Sequence, residues 1–165
     1  MGQLPSFRTL FIYIVVALAL LLGWRLLFAP DNAPQVEYKL IDGNVLSSDD
    51  LQNKVVVISF WSTSCSSCIA EMPHLAKMYE DYHARGLEIV AVAVEHDQLR
   101  NVVRLAYDKN LPYKVAYDGN GRVVQAWGGI KYTPTAFVVN RRGQVVERLV
   151  GPQSDHIESM IKSLL

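Results

Sequence analysis

Apolar and polar positions along residues 36–165 fall into blocks whose periods alternate between those of strands and those of helices. Val55 to Trp61 (VVVISFW) is apolar except for Ser59, the pattern of a central strand covered on both faces. Leu87 to Val94 (LEIVAVAV) reads as a second buried strand. Between them Ile69, Met72, Leu75, Ala76, Met78, Tyr79 and Tyr82 recur at helical spacing. They predict a helix over Ser66–Arg85 that Gly86 ends, with Pro73 inside it and expected to kink it. A further helix is predicted over Gln98–Asn110, a short strand over Tyr113–Tyr117, and a brief helix over Val123–Trp127. Thr135–Val139 and Gln144–Val150, joined by Asn140-Arg141-Arg142-Gly143, predict a hairpin, and Ser154–Leu165 a closing helix. Near the start, Val36–Leu40 and Gly43–Leu46 flank the turn signal Asp42-Gly43-Asn44 and read as a smaller hairpin. Ser47 to Asp50 follows as a capped turn leading to Leu51. Strands alternating with helices, then a hairpin and a last helix, predict an α/β sandwich around a mixed sheet.

The first thirty residues follow a different pattern. Leu10 to Trp24 is fifteen residues without a charge, and past Arg25 the apolar run continues to Ala29, twenty residues in all. About 20 apolar residues cross a bilayer as a helix, and Arg25 lies near enough to the end for its side chain to reach the interface. A buried core helix would carry a polar face, which this run lacks. A cleaved leader would need small residues before the cut. Cleavage after Ala29 would leave Leu27 at the third position back, and cleavage after Ala33 would leave Asp31 there. The expectation is an uncleaved anchor over 10–29, with a cytoplasmic N-terminus over 1–9, a linker over 30–35 and one domain over 36–165. Arg8 precedes the span, so the positive-inside bias leaves the short end in the cytoplasm. The domain is then expected in the periplasm or outside the cell, held at the cytoplasmic membrane.

Charge narrows the partners. Sixteen basic and sixteen acidic residues cancel, and Arg141-Arg142 is the main local concentration of positive charge. Nucleic acid is not an expected partner.

The candidate chemistry is Cys65-Ser66-Ser67-Cys68, which holds both cysteines of the chain where the first buried strand hands over to the helix. A Cys-x-x-Cys at such a junction reads as a redox pair. Unpaired N–H groups and the macrodipole at a helix N-terminus favour negative charge. A thiol placed there has a lowered pKa, and the thiolate is the nucleophile. Cys65 is expected to attack, and Cys68, about one turn in and less exposed, to resolve. Structural zinc wants four ligands, and His74, His83, His96 and His156 are scattered. A purely structural disulfide would close a very small loop, where the entropic gain is least.

These motifs, in this order, resemble the thioredoxin superfamily, and within it the membrane-anchored TlpA/ResA group, which includes DsbE-like proteins. The matching residues are Phe60-Trp61, Cys65-x-x-Cys68, Pro73, and Tyr132-Thr133-Pro134-Thr135 before a hydrophobic strand. The resemblance spans roughly residues 36–165. It implies a thioredoxin-like fold with a central insertion over about Glu95–Tyr117, a cis Pro134 beside the Cys pair, and client contact at Trp61, Thr133 and Pro134, although Trp61 itself reads first as core packing that also borders the site. Two departures bear on mechanism. The buried Asp of thioredoxin is replaced by Ser59, and Glu71, three residues after Cys68, matches a Glu that ResA-type proteins carry. The resemblance makes Glu71 the expected acid–base partner of Cys68, against the plainer reading of a solvated first-helix glutamate. Ser64 stands where many relatives carry a bulky residue. Glu95-His96-Asp97 follows the second buried strand at what should be its active-site end and reads as surface loop, with His96 tuning the site as the lesser alternative.

The implied activity is thiol–disulfide exchange, with no cofactor. Expected partners are disulfide-bearing client proteins, which the resemblance places in cytochrome c maturation or a related assembly pathway, and a membrane donor or acceptor of electrons for the Cys pair. A disulfide-introducing oxidant is the reverse reading. Cu(I) binding by two soft thiolates is a reading from another class.

Overall fold

The computed structural model describes residues 7–27 and 31–165. The first six residues of the expected cytoplasmic N-terminus, and residues 28–30 where anchor meets linker, lie outside the described residues. The chain divides into two units, residues 1–31 and 32–165.

In the first unit, helix α1 runs over Phe7–Leu27. It starts three residues before the expected span, and its side chains from Phe11 to Leu22 are exposed. Among the described residues no helix is long and apolar enough to cross a membrane.

The second unit is built on five strands in the order β5-β4-β3-β6-β7. They are β3 (Val55–Trp61), β4 (Leu87–Ala93), β5 (Lys114–Tyr117), β6 (Thr135–Val139) and β7 (Val145–Val150). β4 lies parallel to β3 and β5, while β6 is antiparallel to β3 and β7, so the sheet is mixed as the sequence predicts. Every residue of β3, β4 and β6 is buried. Strand alternation sends Val55, Val57 and Trp61 to one face and Val56, Ile58 and Phe60 to the other. The first face is covered by α2 (Ser66–Tyr82), α3 (Leu99–Asp108) and α5 (Ser154–Leu164). The second is covered by the hairpin of β1 (Glu37–Lys39) and β2 (Val45–Ser47) and by α4 (Arg122–Ala126). Two apolar layers on one sheet make the three-layer sandwich that holds the domain together.

Local chemistry explains where the elements stop. The turn after β2 is a short 3₁₀ helix, Ser48–Leu51, with a capping box. The Ser47 side chain takes the Asp50 N–H, and the Asp50 carboxylate takes the Ser47 N–H. α2 ends three residues before the predicted limit because His83–Arg85 tightens into a 3₁₀ turn, closed by Gly86 at φ 101°. Glu88 interrupts the apolar pattern of β4, yet it is buried. Lys114 at 3.1 Å and Lys54 at 3.7 Å neutralise it, as a buried carboxylate requires.

Two stretches outside the central strands are tied into the domain. Residues 32–35, read as linker, are tied to the domain. Ala33 N–H donates to Gly143 O, and Asn32 bridges to Gln144. Residues 95–117, read as an insertion, supply α3 and the edge strand β5, and so extend the central sheet itself.

Gly86→Ala is expected to lower stability by roughly 1–2 kcal/mol, the cost of a left-handed backbone at a residue with a Cβ. Its Cβ would meet only the flexible Arg141 guanidinium, at 3.4 Å. A lower urea midpoint with unchanged thiol reactivity is the expected reading.

Candidate active site

Strand β3 delivers the chain to the site and α2 receives it. Beyond Trp61, whose carbonyl takes the Val94 N–H, Cys65 N–H donates to Ser62 O at 3.1 Å and closes a tight turn. Asp97, in the loop after β4, pins this turn from the side. Its carboxylate accepts from the Thr63 N–H at 2.6 Å and from the Thr63 hydroxyl. The Asp97 carbonyl is in turn held by the Tyr117 hydroxyl at 2.8 Å. Three strand ends thereby fix the start of α2.

Cys65 is the N-cap of α2, and its Sγ accepts the Cys68 N–H at 3.2 Å. A serine or threonine cap works the same way, but here the acceptor is sulfur. The amide that stabilises the cap also stabilises negative charge on that sulfur once the disulfide opens. Cys65 and Cys68 are disulfide-bonded, with Cα atoms 5.3 Å apart. Cys65 is half-buried and Cys68 buried, so an incoming thiol or disulfide meets Cys65 first.

The Thr133–Pro134 peptide bond is cis, in the loop before β6, which pairs with β3 through Phe60 and Thr135. This pairing carries Thr133 O to within 3.5 Å of Cys65 Sγ. Pro134 is buried and Thr133 half-buried, while Tyr132 projects beside them at 71% exposure. Trp61, read as core packing that borders the site and by resemblance as a client contact, does not reach the surface. It is buried beneath the disulfide and supports the site from the core.

Glu71 departs from the plainer reading of a solvated glutamate. It is buried rather than solvated, and one oxygen is committed to another helix. Oε1 accepts the Gln153 N–H at 2.9 Å and the Ser154 hydroxyl at 3.2 Å. Gln153 makes no side-chain cap for α5, so Glu71 supplies the anionic group that a helix N-terminus favours. The same residue lines a small void with Cys68, Ser59, Trp61, Tyr113 and Pro134. Ser59 therefore lies close to where Glu71 arrives from the helix. His96 is exposed, and its neighbour Asp97 makes the contact. Asp97 and Tyr113 were not legible as site residues, since only strand pairing brings them to the Cys loop. Among the described residues no three His, Cys, Asp or Glu side chains gather as a metal-binding group.

Two outcomes follow from this geometry. With Cys68→Ser, a disulfide-bearing protein should stay trapped on Cys65, visible as a thiol-sensitive adduct on non-reducing gels. Cys65→Ser should trap little, and trapping through Cys68 instead would reverse the assignment. Asp97→Ala removes two bonds to a charged acceptor and should cost roughly 1.5–3 kcal/mol in urea unfolding.

Comparison with known proteins places this geometry. The Redoxin family model matches residues 29–165. The thiol-disulfide oxidoreductase ResA of Oceanobacillus iheyensis is 32% identical over 140 residues, covering 81% of this chain and 71% of that protein. ResA of Bacillus anthracis is 29% identical over 134 residues, covering 81% and 76%. A thiol:disulfide interchange protein of the thioredoxin family from Chlorobium tepidum superposes with a TM-score of 0.76 at 28% identity, covering 82% of this chain and 96% of that one. With a disulfide-forming Cys pair capping a helix beside a cis-proline loop, the chain belongs to the Redoxin family and is a thioredoxin-like thiol-disulfide oxidoreductase of the ResA/DsbE type.

Proposed function

We propose that this enzyme reduces disulfides of extracytoplasmic proteins while tethered to the cytoplasmic membrane by residues 10–29. The observation that carries the exchange reading is the asymmetry of the pair. Cys65 Sγ is reachable and holds the Cys68 N–H, while Cys68 is buried behind it. Thiolate Cys65 attacks the client disulfide, and Cys68 resolves the mixed disulfide. Thr133, Pro134 and exposed Tyr132 form the rim on which a client strand docks, and Pro134 has no N–H to compete for its carbonyls.

The direction is argued from Glu71. A strong oxidant owes its potential to a stabilised reduced form, and a carboxylate beside the pair works against thiolates. The reductant reading is favoured over the disulfide-introducing one. The tether rests on the twenty-residue run from Leu10 to Ala29 and on the exposure of the apolar side chains described in α1. An oxidising compartment suits a domain whose cysteines form one exchangeable pair. Resemblance to the TlpA/ResA group points to clients in cytochrome c maturation and to a membrane dithiol that re-reduces the pair.

The full-length protein should catalyse insulin reduction. Its Cys65/Cys68 potential should lie nearer the ~−270 mV of thioredoxin than the ~−120 mV of DsbA. A potential at the oxidising end would replace the reductant reading with the oxidant one, and tight Cu(I) binding without insulin reduction would replace both. A C-terminal reporter should be active only outside the cytoplasm. Mature protein starting near Ala29 or Ala33 would overturn the tether.

A further inference from the structure

On the second face of the sheet, at the end away from Cys65, lies a cavity of about 650 Å³. Val56 and Ile58 of β3 and Val139 of β6 line it, together with Tyr38 and Trp127. All five belong to the second apolar layer. Trp127 Nε1 donates to Tyr38 Oη at 3.2 Å, so the indole N–H and the phenol oxygen satisfy each other within the wall. Val56 lies five residues before Trp61 in β3, about 17 Å along the strand. None of these residues takes part in the exchange at Cys65.

The charge of this cavity is one-sided. Arg141 and Arg142, from the turn between β6 and β7, line it, and no carboxylate does. Two other cavities, of about 540 and 480 Å³, carry Asp42 in one and Glu37 and Asp118 in the other. Both arginines are exposed. Arg141 donates from Nη2 to Arg85 O at 3.1 Å and to Leu165 O at 3.3 Å, which leaves its Nη1 and Nε donors. Arg142 uses its backbone N–H, donated to Asn140 Oδ1 at 2.9 Å. Its guanidinium has no hydrogen bond or ion pair among the described residues. An apolar cavity with two guanidinium groups at its rim fits an amphipathic anion, and their planar forks suit phosphate.

The path of the chain chooses among such anions. Asn32 and Ala33 also line the cavity, fastened there by the Asn32 bridge to Gln144 and the Ala33 N–H on Gly143 O. Ala29, where the apolar run ends, precedes Asn32 by three residues, at most about 11 Å of chain. A bilayer that holds this run is therefore the nearest source of amphipathic phosphates.

We propose that the cavity seats one anionic phospholipid, its phosphate on the Arg141 and Arg142 guanidinium groups and the start of its chains against Trp127 and the strand residues. This deepens the tethering reading above and rests on it. The volume lies in the ~300–1,000 Å³ range of small-ligand sites. That holds a headgroup and the first chain carbons, while the rest of the lipid stays in the bilayer. No bond is made or broken, and the effect is on orientation. With this end on the membrane, Cys65 at the far end of the sheet is turned away from it.

Dihexanoylphosphatidylglycerol, soluble as a monomer, tests the cavity without a bilayer. Titrated into the full-length chain in a neutral detergent, it should slow amide exchange about tenfold at Asn53 and over residues 141–144. Exchange over residues 63–67, at the Cys65 turn, should not change. One basic group at an anionic surface is worth roughly a fivefold gain in affinity, so Arg142→Gln, which spares the Arg141 bonds, should weaken binding about fivefold. No protection by this lipid, or equal affinity in Arg142→Gln, overturns the proposal. Equal binding of dihexanoylphosphatidylcholine overturns the anionic assignment, and equal binding of glycerol 3-phosphate marks a plain phosphate site and overturns the lipid. If Arg142→Gln does not fold, the comparison of the two lipids on the unaltered protein decides. Release of the full-length chain from membranes by alkaline carbonate removes the tether, and the soluble-lipid titration still judges the cavity.

Discussion

The hydrogen bond from the Cys68 N–H to Cys65 Sγ ties the chemistry of this molecule to its backbone. It exists because β3 ends where α2 begins, with Cys65 at the one position where a side chain completes the helix. The first turn of any helix has N–H groups with no intrahelical acceptor, and here one of them falls to a sulfur. The same geometry makes Cys65 the sulfur that best bears charge and turns Cys68 inward. Much of the domain serves to keep that junction in place. β4 and β6 flank β3 on either side. The loop leaving β4 contributes Asp97 to the turn before Cys65, and the loop entering β6 brings Thr133 O to its sulfur.

The parts legible in the sequence are those set by period. Val55–Trp61 and Leu87–Val94 announce buried strands because both faces are apolar, and the helix after the cysteines follows from its i, i+3, i+4 stripe. Position at a helix N-terminus is also local information, so the order of attack between Cys65 and Cys68 could be argued without coordinates. The parts that were not legible depend on pairing across the sheet. Tyr113 precedes a short edge strand, and only its parallel alignment with β4 carries the residue to the core side of the disulfide. Asp97 reads as one acid in a polar loop until the ends of β3 and β4 are placed side by side. The residues read as linker likewise show no periodicity, and their role follows from the turn at Gly143 that receives Ala33.

Trp61 was legible as core packing that borders the site, and Glu71 as a member of the site but not in all that it does. Strand alternation sends Trp61 to the face that α2 covers, so it supports the disulfide from below. Glu71 reads as a choice between a solvated charge and a catalytic one. That choice assumes the residue answers only to its own helix, and the start of α5 is a second claimant.

The double attachment of Glu71 is what a buried carboxylate in this place needs. An isolated ionised carboxylate in an apolar layer is too costly to persist and would take up a proton. The Gln153 N–H and Ser154 hydroxyl, at the positive end of α5, hold charge on one side of the group. The same side chain borders the small void next to Cys68. In thioredoxin the resemblance puts the carboxylate on the strand. Here the strand position is Ser59, and the carboxylate arrives from the helix, anchored by another helix. The placement of Glu71 beside Cys68 is thereby coupled to the docking of α5 on α2. A change that loosens α5 should reach the resolving cysteine through Glu71, even though α5 itself contributes no reacting atom.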